Sequence, residues 1–261
     1  MTWVLLRGLT REARHWGDFA PQWARVVGAD TDANANPDGR RDQVLALDLP
    51  GNGEFRGLAS PRSVRAMVAF ARRQLQARGC APPYRLLAMS LGGMVAADWA
   101  QRYPREVTRL VLINTSMRPF GGASDRLRPG SWLALLRLAA RWHDADAAER
   151  LIHRLTSRRM ATREDDLAAW RRIRQSAPVS ATNACRQLWA AACFGSAVAA
   201  PPCPVLVLSS AADRLVHPQC SARLAGAWGA CHRQHPWAGH DLPHDAPEWV
   251  CQQLTDWLAS T

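Results

Sequence analysis

The stretch Leu86-Leu87-Ala88-Met89-Ser90-Leu91-Gly92-Gly93-Met94 reads as an apolar strand that ends in a serine and turns at once into a helix. Ala88 stands two positions before that serine and Gly92 two positions after it. A strand-to-helix turn this tight forces its central residue into a strained backbone conformation and lifts the side chain above the sheet. Only minimal bulk at the flanks avoids collisions. Ser90 is therefore the candidate nucleophile, and its worth depends on what the rest of the chain places around it.

Upstream, Trp3-Val4-Leu5-Leu6 is a β-prone run short enough to be a central strand buried on both faces, and Arg7-Gly8-Leu9-Thr10 follows it directly. The spacing of Trp16, Phe19, Ala20, Trp23 and Val27 predicts a helix from Glu12 to about Val26, broken near Pro21. Residues 28–41 are polar and read as a surface loop. Their aspartates Asp30, Asp32 and Asp38 lack the spacing of a calcium-binding loop. Gln43 to Leu49 is the second strand, followed by Pro50-Gly51-Asn52-Gly53. Ser60 then caps a helix through about Ala77, with Pro61 in its first turn. Tyr84 to Met89 is the third strand, a helix runs from Leu91 to Tyr103, and Val107 to Ile113 is the fourth strand.

After Asn114-Thr115-Ser116 the pattern changes. Four helices are expected: one capped by Ser131 and bearing Trp132, Leu135, Leu136, Leu138 and Ala139; Ala145 to Ser157; one opened by a Thr162/Asp165 capping box and running through Ile173; and Ala181 to Phe194. Alternation resumes with a strand at Pro204 to Ser210, a helix from Pro218 to Trp228, a short strand at His232 to His235 and a final helix from Ala246 to Leu258. The fold class is therefore α/β: a mostly parallel core formed by 1–116 and 201–261, interrupted by a helical cap at 117–200.

Composition excludes several classes. With 261 residues and 48% hydrophobic content the chain can bury a sizeable core, and no apolar run approaches the roughly 20 residues of a membrane span. The opening residues lack a basic leader with a long apolar stretch, so secretion is not expected. The seven cysteines, Cys80, Cys185, Cys193, Cys203, Cys220, Cys231 and Cys251, are odd in number and scattered without a CxxC. That usage fits reduced thiols in a cytoplasmic protein. The net charge is +11, and every basic residue is arginine. No concentrated stripe or nucleic-acid module accompanies it, so nucleic-acid binding is not expected. The cap arginines, Arg126, Arg128, Arg137, Arg141, Arg150, Arg154, Arg158, Arg159, Arg163, Arg171, Arg172 and Arg174, read either as solvated helix faces or as a docking surface for an acidic group.

Three residues then coincide. Ser90 ends the third strand, Asp213 lies just beyond a later one, and His240 lies in a loop after the last. In a parallel sheet all three share the C-terminal edge, where ligands bind in open α/β folds. A serine hydroxyl needs a base to become a nucleophile. His240 is the candidate base, and Asp213 the carboxylate that holds its other nitrogen. The N–H of Leu91, directly after the serine, and that of Leu9 are the candidate oxyanion donors. His217, His235 and His244 compete for the base, and Asp241 and Asp245 for the acid. A metal cluster from His235, His240 and His244 ranks lower, because no helix carries a zinc-protease spacing.

On Arg7-Gly8-Leu9, Asp48-Leu49-Pro50-Gly51-Asn52-Gly53, Ala88-Met89-Ser90-Leu91-Gly92-Gly93, Asp213 and Gly239-His240, the chain resembles the α/β-hydrolase-fold serine esterases. The capped carboxylesterases that include pimeloyl-carrier-protein methyl ester esterases are a near comparison. The resemblance implies triad roles for Ser90, Asp213 and His240, an oxyanion hole from Leu9 and Leu91, no cofactor, and a place in biotin biosynthesis. It also implies a shortened N-terminal sheet lacking the family's opening antiparallel hairpin. Arg7 stands where many relatives have His, and Ala88 where they commonly have Gly.

The expected reaction is hydrolysis of a small or carrier-linked acyl ester, the carrier-linked form being a methyl ester on an acidic carrier protein that docks on the cap arginines. Trp132, Leu135, Leu136, Trp142, Trp170, Trp189 and Phe194 could line an acyl pocket or simply form the cap's own core. Thioester hydrolysis or acyl transfer on the same machinery is the nearest alternative. An inactive ligand-binding protein on the same scaffold is the more distant one. Oligomeric state is not legible.

Overall fold

Short apolar runs pair into one sheet in the computed structural model, which describes residues 1–29 and 42–261. Its strands are β1 (Thr2–Leu6), β2 (Gln43–Leu47), β3 (Tyr84–Met89), β4 (Val107–Ile113), β5 (Val205–Ser210) and β6 (Cys231–His235). They lie in the order β2-β1-β3-β4-β5-β6, and every pairing is parallel. Parallel strands need crossovers, and these crossovers cover both faces. That is why β1 and β5 are buried at every position.

Successive side chains of one strand feed opposite cores. Val4 and Leu6 of β1, with Leu86 and Ala88 of β3, pack against α2 (Val64–Ala77), α3 (Leu91–Arg102) and α9 (Gln219–Trp228). Trp3 and Leu5, with Leu87 and Met89, pack against α1 (Phe19–Ala29) and α11 (Pro247–Ala259).

Between β4 and β5 the chain leaves the sheet for α4 (Ala123–Arg126), α5 (Trp132–Ala140), α6 (Ala145–Thr156), α7 (Arg163–Ser176) and α8 (Ala181–Cys193). This inserted helical cap has a small core of its own, Leu138, Trp142, Ala148, Ile152 and Trp170. Its last helix also docks on the main core through Ala190, and Phe194 just past its end joins the same core. A four-residue helix that the periodicity did not suggest, α10 (Leu242–Asp245), precedes α11. No described helix is long and apolar enough to cross a membrane.

Four local expectations are corrected. The helix expected over Glu12 to Val26 is two pieces, a 3-10 turn at Ala13–Trp16 and α1, parted at Gly17 (φ +50°) instead of Pro21. Pro21 falls in the first turn of α1, where a missing N–H costs nothing. Ser63, not Ser60, caps α2 by accepting from the N–H of Ala66. Ser60 is buried, donating from Oγ to Pro50 O (2.7 Å) and from its N–H to Asn183 Oδ1 (2.9 Å). The capping roles read for Ser131 and the Thr162/Asp165 pair are also not made: Ser131 Oγ donates to Arg214 O, and Thr162 Oγ1 to Asp166. The loop with Asp30, Asp32 and Asp38 lies outside the described residues.

The start of α3 sits directly on the end of β1. A Cβ added at Gly92 would lie 2.4 Å from Leu6 O and 2.6 Å from Arg7 O, both backbone atoms that cannot swing aside. Gly92→Ala is expected to cost about 2–3 kcal/mol in urea unfolding, the range for overpacking a tight contact. A loss below about 0.5 kcal/mol would show that the two elements separate easily.

Candidate active site

Ser90 joins β3 to α3 at φ +54°, ψ −119°, a left-handed conformation rarely adopted by a residue with a side chain. Such strain costs about 1–3 kcal/mol and persists only where the surroundings enforce it. Here the Ser90 N–H donates to Ile113 O (3.0 Å) and the Ser90 carbonyl accepts from Thr115 Oγ1 (2.8 Å). Glycines make room on both sides. A Cβ on Gly8 would lie 3.0 Å from Ser90 Cβ, and one on Gly93 would lie 2.7 Å from Thr115 Cβ.

The loop Gly8-Leu9-Thr10 thus passes directly beside Ser90. It is fixed from the cap by the N–H of Thr10 (φ +57°), which donates to Gln187 Oε1 (2.8 Å). Leu91 is the first residue of α3, where the backbone N–H has no partner within the helix and the helix dipole favours negative charge.

Asp213 follows β5 in a turn that orients its carboxylate. Oδ1 accepts from the N–H groups of Leu215 (2.8 Å) and Val216 (3.0 Å), while Oδ2 lies 2.7 Å from His240 Nδ1. Both side chains are buried. Burial works against an imidazolium at His240, but the charge and hydrogen bond of Asp213, aided by Asp241 and opposed by Arg7, outweigh it. The His240 pKa is therefore raised above the ordinary histidine value.

The loop carrying His240 is stapled to the sheet by Asn114. This buried residue at φ +43° donates from Nδ2 to Gly239 O (3.2 Å), His240 O (2.8 Å) and Ser210 Oγ (2.9 Å), and accepts from the N–H of Ser210. Asn114 directly follows Ile113, whose carbonyl holds Ser90. One strand end therefore anchors both candidate elements. Asp213 and His240 are in contact; among the described residues no hydrogen bond joins Ser90 Oγ to His240, and such bonds commonly tighten only with substrate bound.

The competing residues are engaged elsewhere. Asp241 forms a two-pronged ion pair with Arg7, NH1 to Oδ1 at 3.0 Å and NH2 to Oδ2 at 2.6 Å. Asp245 accepts from Ser157 Oγ and from the N–H groups of Arg158, Arg159 and Gly239, tying the end of α6 to the loop before His240. His235 Nδ1 accepts from the N–H of Ala238, His217 Nδ1 from that of Gln219. His244 Nε2 lies 3.1 Å from Asp166 Oδ2, and His153 Nε2 lies 3.6 Å from the same oxygen.

His153, Asp166 and His244 are thus the described residues whose donor atoms come close enough together to be considered for a metal. They join α6, α7 and α10 at the junction of cap and core. Neither histidine passes its other ring nitrogen to a described acceptor, whereas metal-bound imidazoles ordinarily do so. Of the two histidines, His244 is hydrogen-bonded to Asp166, while His153 Nε2 is buried near the same oxygen without a hydrogen bond. The metal set considered from sequence, His235, His240 and His244, does not form.

Sequence reasoning missed Asn114, Gln187 and the Arg7–Asp241 pair. A polar triplet Asn114-Thr115-Ser116 at a strand end was the available signal for the first; nothing local marks the other two. Of the apolar cap candidates, Trp142 and Trp170 belong to the cap's own core, Phe194 to the main core, and Trp132, Leu136 and Trp189 are exposed.

Because Ser90 is held at positive φ, Ser90→Gly is expected to raise unfolding free energy by about 1 kcal/mol, strain relief partly offset by the flexibility of glycine in the unfolded chain. Chemical denaturation measures this, and a destabilised variant would argue against stored strain.

A family model described as the alpha/beta hydrolase fold matches residues 20–247. The pimeloyl-[acyl-carrier protein] methyl ester esterase of Chromobacterium violaceum is 40% identical over 75 residues, 29% of this chain and 27% of that protein. The matched stretches span about a quarter of the length of the curated relatives. Among solved structures, the enol-lactonase of Burkholderia xenovorans superposes with a TM-score of 0.76 at 16% identity, covering 99% of this chain and 91% of that one. The thermophilic esterase of Thermogutta terrifontis does so at 0.73 with 22% identity, covering 100% and 90%. With a matching family model that spans most of its length and a parallel sheet interrupted by a helical cap, this chain belongs to the α/β-hydrolase fold family.

Proposed function

We propose that the protein is a serine carboxylic-ester hydrolase in which Ser90, His240 and Asp213 form a triad and the N–H groups of Leu9 and Leu91 an oxyanion hole. The observation that carries this reading is the buried 2.7 Å contact between His240 Nδ1 and Asp213 Oδ2, at the sheet edge that also bears the strained Ser90 turn. Ser90 Oγ attacks the ester carbonyl while His240 Nε2 takes its proton. Asp213, itself held by two backbone N–H groups, fixes the tautomer and stabilises the imidazolium. The negative charge on the tetrahedral oxygen meets two backbone dipoles that need no reorganisation. His240 then protonates the leaving alcohol. Water activated by the same histidine attacks the acyl-enzyme, releasing the acid and restoring the serine.

The substrate we favour is a carrier-linked acyl ester. The 40% identical stretch shared with a carrier-protein methyl ester esterase supports it. So does the cap surface. Arg150 and Arg171 are paired with Asp146, and Arg174 with Glu149. By contrast Arg137, Arg141, Arg154 and Arg172 are exposed and engage no acidic side chain among the described residues, leaving them for an acidic partner. Exposed Trp132, Leu133 and Leu136 on α5 lie close in sequence to Arg137 and Arg141. The seven cysteines are free thiols, which supports a cytoplasmic setting.

A fluorophosphonate probe is expected to add to Ser90, read by intact mass and peptide mapping. Ser90→Ala should abolish labelling, and His240→Ala and Asp213→Asn should slow it by roughly 1,000-fold or more. Absence of labelling in folded protein, with a smaller probe failing as well, would overturn the reading.

Only neutral His240 can accept the proton. kcat/KM is therefore expected to rise with pH through an inflection above about 6.5, the ordinary histidine value, and to fall below it. An acid limb below that value would contradict dominance of the two carboxylates. Charge reversal at Arg137 and Arg141 should raise KM for a carrier-linked ester about tenfold more than for p-nitrophenyl butyrate. Equal effects on both would remove the carrier from the proposal.

A further inference from the structure

The residue before the loop glycine at Ser90 is Arg7, and the residue after the proposed base is Asp241. Their side chains meet fork to fork, NH1 to Oδ1 at 3.0 Å and NH2 to Oδ2 at 2.6 Å, and each is only 3% exposed. The contact spans 234 positions of sequence and joins two loops that leave different strands of the sheet, β1 and β6. Among the described residues no other side-chain hydrogen bond or ion pair links Arg7 or Asp241 to the opposite loop. The N–H of Asp241 also donates to Thr156 O (2.8 Å) at the end of α6, so the cap bears on the same point. The guanidinium lies over the Trp16 ring, 4.9 Å from its centroid, which fixes its plane.

Resting on the reading of Ser90, His240 and Leu9 above, we propose that Arg7 and Asp241 are positioning residues. Their ion pair holds the oxyanion loop and the base loop in one register, so that the Leu9 N–H and the His240 ring address the same carbonyl. A two-pronged guanidinium–carboxylate pair restrains direction as well as distance, which a lysine or a single hydrogen bond does not.

The pair has a second, electrostatic effect that separates it from packing alone. Burial disfavours a charged Asp241, but the charge and fork of Arg7, together with His244 and Arg11, keep its carboxyl below the ordinary range. The charged groups bearing on His240 are then Asp213 and Asp241, which favour the imidazolium, and Arg7, which opposes it. Asp241→Asn removes one of the two supporting carboxylates and leaves Arg7 unopposed, so the acid limb of kcat/KM should move to lower pH. Arg7→Lys keeps the charge and loses the fork. It should lower kcat for p-nitrophenyl butyrate about tenfold or more with little change in KM and in the position of the acid limb.

The test is a double-mutant cycle with Arg7→Lys, Asp241→Asn and the combination, each checked for folding by thermal unfolding and assayed for kcat, KM and pH profile. The inference expects the combined variant to be no slower than the slower single, because both remove one contact. Should the singles not fold, Arg7→Met with Asp241→Leu leaves no buried charge unpaired and serves as the second variant. It should fold and lose kcat by the same order. Folded variants with kcat within twofold of the parent protein, or losses that multiply, overturn the positioning role while leaving the esterase reading intact. A parent protein that is neither labelled at Ser90 nor active on p-nitrophenyl butyrate overturns both.

Discussion

The turn at Ser90 can hold its positive φ only because the chain around it cannot relax. Gly92 lets α3 rest on the backbone of Leu6 and Arg7, Gly8 lets the next loop pass against Ser90, and Gly93 admits Thr115. Replacing any of these hydrogens by a methyl group drives atoms into contact, so β1, β3 and the start of α3 lie as close as glycine allows. The same close approach that strains Ser90 brings the backbone at Gly8 against it, while Ser90 itself stands at the N-terminus of α3. Strain at Ser90 and the close fit of the loop beside it have a single cause, tight packing around the turn.

The loops above this edge are held differently, by buried polar contacts. Asn114 secures the His240 loop, Asp245 gathers four donors from the α6 end and that loop, Arg7 and Asp241 pair, and Gln187 reaches from α8 to Thr10, Asn52 and Ser60. A buried polar group without a partner costs about 1–3 kcal/mol, and breaking one side of a buried ion pair about 3–5 kcal/mol. Apolar packing would tolerate small slips of cap against core; these directional contacts do not. The cap is consequently fastened to the loops beside Ser90 and His240 as well as to the main core through Ala190 and Phe194.

That division explains what was legible in the sequence. Strand ends, the elbow and the order of Ser90, Asp213 and His240 follow from local period and turn chemistry, and the six strands and the helical insertion appeared where periodicity placed them. Helix starts were less readable, because capping is decided by which oxygen happens to be free: Ser60 was already engaged with Pro50 and Asn183, so Ser63 took the cap. The polar clasps were invisible. Asn114 meets His240 across 126 positions and Arg7 meets Asp241 across 234, and no local pattern distinguishes an asparagine or arginine that finds such a partner from one that faces water.

At His240 these two modes of construction meet. Burial alone would keep the imidazole neutral and make it a weak base, since removal from water penalises the cation. Asp213 reverses the balance because its carboxylate is desolvated at 2.7 Å yet still satisfied by the Leu215 and Val216 N–H groups, so it has no need to turn toward solvent. Asp241 adds to it and Arg7 subtracts. Since Arg7 and Asp241 neutralise each other while bearing on His240 with opposite sign, the pair can lock the loop with little net electrostatic effect on that imidazole. A lone carboxylate in that position would raise its pKa further and leave less neutral imidazole near pH 7. A lone arginine would lower it. Pairing the two separates the mechanical task from the electrostatic one, and leaves Asp213 as the main carboxylate setting the proton affinity of His240.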